Sequence, residues 1–197
     1  MEVKRLEVGF FENNCYVLTC RRTRESVIID PAAEAKRILG ETGEAKVRYI
    51  LITHGHMDHI GALEEVRRQT GAAVAIHARD ARALKDKPDF FLEDGQTLTC
   101  GEVTLKVLYT PGHSPGGVCF LTGKILFSGD TIFPNGPGNT AIPGADEQLI
   151  LSSIHSKIFI LPDDTVIYPG HGLETTVGRE KATSFYPIPR GMKRDHA

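Results

Sequence analysis

Tyr49-Ile50-Leu51-Ile52-Thr53-His54-Gly55-His56-Met57-Asp58-His59 is a short apolar run followed at once by three imidazoles and a carboxylate. A short apolar run bounded by turn residues is consistent with a buried strand. Neutral imidazole and carboxylate are the usual non-thiolate ligands of zinc and related divalent ions. A His-rich surface loop is the alternative, but polar clusters that directly follow a buried strand are more often functional sites. The stretch therefore predicts a metal site at the end of a strand.

The spacing within this cluster indicates more than one ion. Residues two apart in an extended or tightly turned segment project to the same side, whereas ligands on a helix are three or four residues apart. His54 and His56 can therefore share one ion. Asp58 and His59 lie further along the turn, point differently and suit a second ion beside the first.

Ligand-type side chains recur at the ends of three later strand-like segments. They are His113 after residues 103–108, Asp130 after residues 125–129 and His171 after residues 166–170. Taken singly, each is more typical of a turn residue than of a ligand. Four strand-end loops that all carry such side chains make a stronger case, because a rigid sheet presents a catalytic centre through ligands from several strand ends.

Together these segments resemble the metallo-β-lactamase superfamily. The resemblance is carried by the H-x-H-x-D-H segment at residues 54–59 and by residues 110–116, 127–131 and 168–172, with the opening strands matched at 14–18 and 27–31. It runs nearly end to end, and within the superfamily the chain is most similar to the short relatives of hydroxyacylglutathione hydrolase, also called glyoxalase II. These motifs are more specific for the fold than for the substrate.

The resemblance implies seven ligands for two divalent ions. His54, His56 and His113 would bind the first ion, Asp58, His59 and His171 the second, and Asp130 would bridge the two. The ions are expected to be zinc, with iron and manganese as alternatives of similar ligand preference. Asp30 is expected to orient the metal loop rather than bind an ion, and a turn or helix N-cap acid is the alternative role.

The alternation of strands and helices predicts an α+β fold with two sheets packed face to face and helices outside. The family has the same four-layer αββα sandwich, with its metal site at one edge of the two sheets. Strands are predicted near residues 2–8, 15–20, 26–30, 47–52, 73–77, 97–109, 117–128 and 164–168, and helices near 32–40, 60–70, 78–85 and 145–159. Leu149, Ile150 and Ile154 form the predicted buried face of the last helix. His77 is predicted to be a structural strand-end residue, and His155 an inert residue on an exposed helix face.

Length and composition fit one catalytic domain over residues 1–197, with about 187–197 as a tail. A net charge of −2 argues against nucleic acid as the partner. No stretch has the length of a membrane span and no signal peptide is recognised, so the prediction is a cytoplasmic protein that acts on a small molecule. Oligomeric state has no signal in the sequence. The four cysteines lack C-x-x-C spacing and are predicted to be buried thiols.

The predicted chemistry is hydrolysis by a metal-bridging hydroxide. A water shared by two divalent cations loses its proton near neutral pH, and Asp58 would orient the resulting nucleophile. The first ion would stabilise the oxyanion that forms on the carbonyl group of the substrate. A thiolate, with a thiol pKa of roughly 8.5, leaves without a general acid, which favours thioesters of the hydroxyacylglutathione type over amides.

Two alternative reactions are compatible with the same motifs. One is a mononuclear iron enzyme resembling persulfide dioxygenases, with His54, His113 and Asp130 as a facial triad. The other is a lactonase or phosphodiesterase with a differently shaped pocket. The complete ligand set favours the dinuclear hydrolase. Glutathione recognition is in question, because only a short segment follows His171 and because Asn139 stands where related chains commonly carry Arg.

Overall fold

Two six-stranded sheets pack face to face, with helices on both outer surfaces. The computed structural model describes residues 1–191, and residues 192–197 of the predicted tail lie outside the described residues. At the start of that tail, the backbone N–H of Arg190 donates a hydrogen bond to Gln148 Oε1 at 3.1 Å. The four-layer αββα sandwich predicted from the sequence is confirmed.

The first sheet is antiparallel at its N-terminal side and parallel from its third strand onward. Its strands, in spatial order, are β1 (Glu2–Val8), β2 (Asn13–Cys20), β3 (Glu25–Ile29), β4 (Lys46–Leu51), β5 (Ala73–His77) and β6 (Phe90–Leu92). The side chains of β3, β4 and β5 are largely buried because the sheet is covered on both faces.

The second sheet is built mainly from hairpins. Its strands are β7 (Thr97–Cys100), β8 (Val103–Tyr109), β9 (Val118–Thr122), β10 (Ile125–Gly129), β13 (Val166–Pro169) and β14 (Thr175–Thr176), and a separate hairpin contains β11 (Ile132–Phe133) and β12 (Gly136–Pro137). The spatial order is β14-β13-β10-β9-β8-β7, and the pair β10–β13 is parallel. Its topology therefore places the ends of β10 and β13 side by side.

In the part of the chain that the structure describes, five short helices cover the sheets. They are α1 (Ala35–Thr42), α2 (Met57–Ile60), α3 (Leu63–Thr70), α4 (Glu147–Ser153) and α5 (Val177–Lys181). A π-helical turn at Ile154–Ile158 extends α4. Within residues 1–191, none of the helices has the length and apolar character that crossing a bilayer requires.

The period of two along the strands divides the interior into three apolar layers. In β2, Cys15 and Val17 face α1 and α3, whereas Tyr16 and Leu18 face the second sheet. In the second sheet, Phe127 faces inward toward the first sheet, and its neighbour Leu126 faces α4. All four cysteines are free and buried, as predicted.

Several predicted element boundaries are wrong, and glycine explains two of them. The predicted strands 97–109 and 117–128 are each a hairpin, because the chain turns at Gly101 (φ +59°) and Gly123 (φ +55°). The predicted helix 78–85 is only a 3₁₀ turn at Ala81–Ala83, and β6 was not predicted.

Two side chains of the α4 region differ from the prediction. Leu149 is 40% exposed, because Ile150 and Leu151 form the buried face of α4 instead. His155 is half-buried rather than exposed, since its Nε2 lies 3.1 Å from the carbonyl oxygen of Tyr186.

Candidate metal centre

The seven predicted ligands lie together at one edge of the two sheets. His54 and His56 lie in the loop after β4, Asp58 and His59 lie in α2, and the loops after β8, β10 and β13 contribute His113, Asp130 and His171. One imidazole or carboxylate atom from each of His54, His56 and His113 lies within 4.8 Å of the other two, as is also true of Asp58, His59 and His171. The two groups match the two sets that the resemblance implied.

Asp130 lies between these two groups. Its Oδ1 is 3.4 Å from His59 Nε2, and its Oδ2 is 3.5 Å from His113 Nε2 and 3.7 Å from His171 Nε2. The carboxylate therefore contacts imidazoles of both groups, which is the arrangement that a bridging ligand requires.

Three ligand-type atoms at the centre of the site are buried without a hydrogen-bond partner among the described residues. They are His54 Nε2, His59 Nε2 and Asp130 Oδ1. Buried polar atoms are nearly always hydrogen-bonded, and each unpaired one is costly. Imidazole nitrogens and a carboxylate oxygen are ligands that divalent transition metals prefer. The donor set therefore fits metal ions.

Four of the five imidazoles are oriented through their Nδ1 atoms. His113 Nδ1 lies 2.9 Å from the carbonyl oxygen of Asn139, and His171 Nδ1 lies 2.8 Å from that of Phe11. A carbonyl oxygen can only accept, so in both rings Nδ1 carries the proton and Nε2 presents its lone pair to the site. His54 Nδ1 lies 3.0 Å from Thr53 Oγ1, and His59 Nδ1 lies 3.0 Å from Asp30 Oδ2. These two rings are therefore oriented in the same way.

Asp30 supports both groups from beneath. It is 1% exposed, and it accepts hydrogen bonds from Thr53 N at 2.8 Å, Thr53 Oγ1 at 2.6 Å and His59 Nδ1 at 3.0 Å. This is the orienting role expected from the sequence. The alternative role as a helix N-cap is wrong, because Glu34 occupies that position before α1.

The electrostatics of the site are suited to a cation. Burial, with the neighbouring imidazoles, lowers the pKa of His54, so this ring is neutral and able to ligate. Burial alone would lower the pKa of His59, but the carboxylates of Asp130 and Asp30 raise it to about 10. The nearby His171 imidazole, together with the hydrogen bond from Asn13, holds the pKa of Asp58 well below its usual range. Metal binding at this group would release a proton from His59, because a ligating imidazole is neutral.

The close packing of the site depends on Gly170. A Cβ atom at this position would overlap Asp130 Oδ1 and would lie 2.8 Å from His59 Cε1. The backbone at the end of β13 therefore approaches the carboxylate closely, and a larger residue has no space there.

Sequence reasoning did not identify two polar residues that hold the site. Asn13, at the start of β2, donates from Nδ2 to Asp58 Oδ2 at 3.1 Å, and the same Nδ2 is 3.2 Å from His171 Nε2. An isolated bridge joins Asn13 to His171, and Asn14 N donates to the carbonyl oxygen of Gly170 at 2.7 Å.

Asp80, after β5, accepts hydrogen bonds from two of the metal loops. The sequence signal for both Asn13 and Asp80 is weak, because an Asn or Asp beside a strand is also common in turns. His77 stacks on Tyr109 and lies outside the ligand groups, as predicted.

Comparison with known proteins gives one family. The profile described as "Metallo-beta-lactamase superfamily" matches residues 8–171. The chain is 35% identical over 203 residues to the probable metallo-hydrolase YqgX of Bacillus subtilis, covering 92% of this chain and 95% of the relative. It is 30% identical over 206 residues to the hydroxyacylglutathione hydrolase GloC of Haemophilus influenzae, covering 93% and 97%.

Solved structures give the same result. The BLEG-1 B3 metallo-beta-lactamase superposes with a TM-score of 0.87 at 35% identity, covering 92% of this chain and 97% of that one. The di-iron-bound form of TTHA1623 superposes with a TM-score of 0.79 at 32% identity, covering 91% and 98%.

Proposed function

The chain belongs to the metallo-β-lactamase superfamily, and from this premise we propose that it hydrolyses thioesters of the hydroxyacylglutathione type with a pair of divalent ions. One observation carries the proposal. The Asp130 carboxylate lies within 3.7 Å of imidazoles from both ligand groups, and its Oδ1 and two imidazole nitrogens are buried without hydrogen-bond partners in the part of the chain that the structure describes. A pair of cations held by these residues would satisfy all three atoms.

Each ion would have a distinct set of side chains. His54, His56 and His113 would hold the first, Asp58, His59 and His171 the second, and Asp130 would contact both. When bound, such a pair supplies Lewis acidity toward a carbonyl oxygen and lowers the pKa of water. We propose zinc as the resident ion, with iron as the alternative because the similar protein TTHA1623 was solved in a di-iron-bound form.

Asp58 is the proposed catalytic residue. Its carboxylate is half-buried, and Oδ2 accepts a hydrogen bond from Asn13 Nδ2 at 3.1 Å and lies 3.5 Å from His171 Nε2. Because its pKa is low, the group stays ionised at neutral pH and can accept a hydrogen bond from the attacking water. Asn13 fixes the carboxylate in that orientation.

The leaving group favours a thioester. The carboxyls that border the site are unsuited to act as acids, because the pKa of Asp58 is lowered and that of Asp130 is also lowered by His59 despite its burial. A thiolate leaves without protonation, whereas the nitrogen of an amide or β-lactam needs a proton. The name of the relative GloC supports the same substrate class.

Metal analysis paired with assays tests this proposal. Protein purified without added metal is expected to contain about two ions per chain and to release thiol from S-lactoylglutathione. The same preparation is assayed with a chromogenic β-lactam and with glutathione persulfide. One iron per chain with oxygen uptake, or β-lactam cleavage without thiol release, would overturn the proposal.

Three variants refine the test. Asp130→Ala is expected to remove both ions and all activity. Asp58→Ala is expected to lower mainly the affinity for the second ion. His155→Gln, outside the site, serves as the control and is expected to keep both ions. Equal loss of both ions in Asp58→Ala would contradict the ligand assignment.

The proposed setting is the cytoplasm. All four cysteines are free thiols with buried side chains, which suits a reducing compartment.

A further inference from the structure

Asp80 connects two metal loops that are far apart in the sequence. It follows β5, precedes the 3₁₀ turn at Ala81–Ala83 and is 7% exposed. Its Oδ2 accepts a hydrogen bond from Gly55 N at 2.9 Å, and its Oδ1 accepts one from Gly116 N at 2.8 Å. Gly55 lies between His54 and His56, and Gly116 lies in the loop that carries His113. One carboxylate thus joins the loops that contribute all three residues of the first ligand group.

Both loops approach Asp80 too closely for any side chain to intervene. A Cβ atom at Gly55 would lie 2.8 Å from Ala83 Cβ and 3.0 Å from the carbonyl oxygen of Asp80. A Cβ atom at Gly116 would lie 2.6 Å from Asp80 Cγ. Since real Cβ atoms do not approach this closely, Gly55 is required by the position of Ala83 in the turn that Asp80 begins, and Gly116 by the position of Asp80 itself.

Tyr109 adds a second attachment beside the first. Its hydroxyl donates to the carbonyl oxygen of Pro115 at 2.8 Å, one residue before Gly116. Its ring stacks on His77 with a centroid distance of 4.3 Å and an interplanar angle of 15°. The segment from His77 to Asp80 therefore holds the His113 loop at two successive residues.

We propose that Asp80, assisted by Tyr109, is a positioning residue that sets the distance between His113 and the His54–His56 pair, and thereby the affinity for the first ion. The inference rests on the proposed two-ion site. Asp80 makes no hydrogen bond to the second group within residues 1–191. That group is oriented by Asn13, Asp30 and the Phe11 carbonyl instead. The effect of Asp80 is therefore specific to one ion.

The substitution Asp80→Asn isolates this role. Asn has nearly the same shape but only one acceptor oxygen, so its NH₂ group must face the N–H of Gly55 or of Gly116. One loop is then released while the volume of the site is unchanged. Asp89→Asn is the matched control, because Asp89 also accepts a backbone N–H, from Val74 at 2.8 Å, but contacts no metal loop.

Stepwise zinc affinities, measured by chelator competition, provide the test. Asp80→Asn is expected to lower the affinity for the first ion about 10–100-fold, which is the usual effect of losing a residue that orients ligands. The affinity for the second ion is expected to change by less than about threefold. Asp89→Asn is expected to change neither affinity. In cobalt-substituted protein, the chemical shift of the His113 Nδ1–H proton should change in Asp80→Asn, and that of the His59 Nδ1–H proton should stay the same.

An equal loss of affinity for both ions, or an unchanged affinity for the first ion, would overturn the proposal. If Asp80→Asn does not fold, Tyr109→Phe carries the test, since it removes only the hydrogen bond to Pro115. It is expected to lower the affinity for the first ion about two- to tenfold, the effect of losing one neutral hydrogen bond, and to leave the affinity for the second unchanged. A wild-type protein that binds both ions without cleaving thioesters would contradict the proposed function and leave this test valid.

Discussion

Asp30 shows how much of the site depends on a single buried carboxylate. It accepts two hydrogen bonds from Thr53 and one from His59, and Thr53 in turn contacts His54 Nδ1. One member of each ligand group is therefore oriented through Asp30. An imidazole that loses its Nδ1 partner loses both its tautomer and its direction.

We expect Asp30→Asn to lower the affinity for both ions. We also expect it to lower the free energy of unfolding by about 1–3 kcal/mol, because a buried N–H group of the new amide must face a donor. Urea unfolding in the presence of chelator separates the second effect from metal loss. Asp164→Asn is the control, since among residues 1–191 this exposed side chain pairs with exposed Lys124 alone, and the substitution should lower the free energy of unfolding by less than about 1 kcal/mol. Unchanged unfolding in Asp30→Asn would contradict this account.

At residue scale, the sequence indicated the proposed ligands but not all of the residues that support them. His54, His113 and Asp130 could be predicted because their chemistry is typical of metal ligands and each follows an apolar run. Asp80 and Asn13 act on loops brought close only by the tertiary structure, and a lone Asp or Asn beside a strand is common in turns. Nothing in their local sequence separates a turn residue from a support.

At the scale of elements, short apolar runs predicted most strands, because apolar layers cover both faces of each sheet. The boundaries failed where one residue changes the direction of the chain. Gly101 and Gly123 each turn a strand-like segment into a hairpin, and strand-type residues stand on both sides of each turn. The segment 78–85 has helical composition, but the hydrogen bonds of Asp80 to two loops hold it as a single 3₁₀ turn.

Two glycines in different elements should respond oppositely to alanine. Gly170→Ala, at the end of β13, is expected to destabilise the protein by about 1–3 kcal/mol and to lower its metal content, because the new methyl group overlaps Asp130. Gly40→Ala, in α1, is expected to stabilise it by about 0.5–1 kcal/mol, since its Cβ meets nothing within 4 Å. Thermal unfolding and metal analysis of both variants provide the measurement. Equal metal content in Gly170→Ala and wild type would show that the overlap is relieved elsewhere.

At the scale of the whole molecule, the site connects the two sheets. Four ligand-type residues follow β4 of the first sheet, and three follow strands of the second. The apolar layer between the sheets joins them along their length, while the ligands meet only at one edge. Ions bound there would therefore add cross-links between halves of the fold.

Metal removal is expected to lower the melting temperature, because an ion that binds only the folded chain stabilises it by RT ln(1 + [L]/Kd), about 2.7 kcal/mol at a hundredfold excess over Kd. Differential scanning calorimetry with and without chelator checks this expectation. Asp130→Ala should melt at one temperature in both conditions. A chelator-induced shift that persists in Asp130→Ala would locate the stabilising ion elsewhere.

The pairing of Asn13 and Asn14 with residues 170 and 171 connects the beginning of the chain to its last quarter. During synthesis on a ribosome, the first strand of this pairing emerges long before its partner exists. A nascent polypeptide that ends before His171 lacks one residue of the second ligand group and one of the two contacts of the Asn13 side chain in the site. We therefore expect the second group to be complete only after translation has passed residue 171, whereas the three residues of the first group emerge earlier.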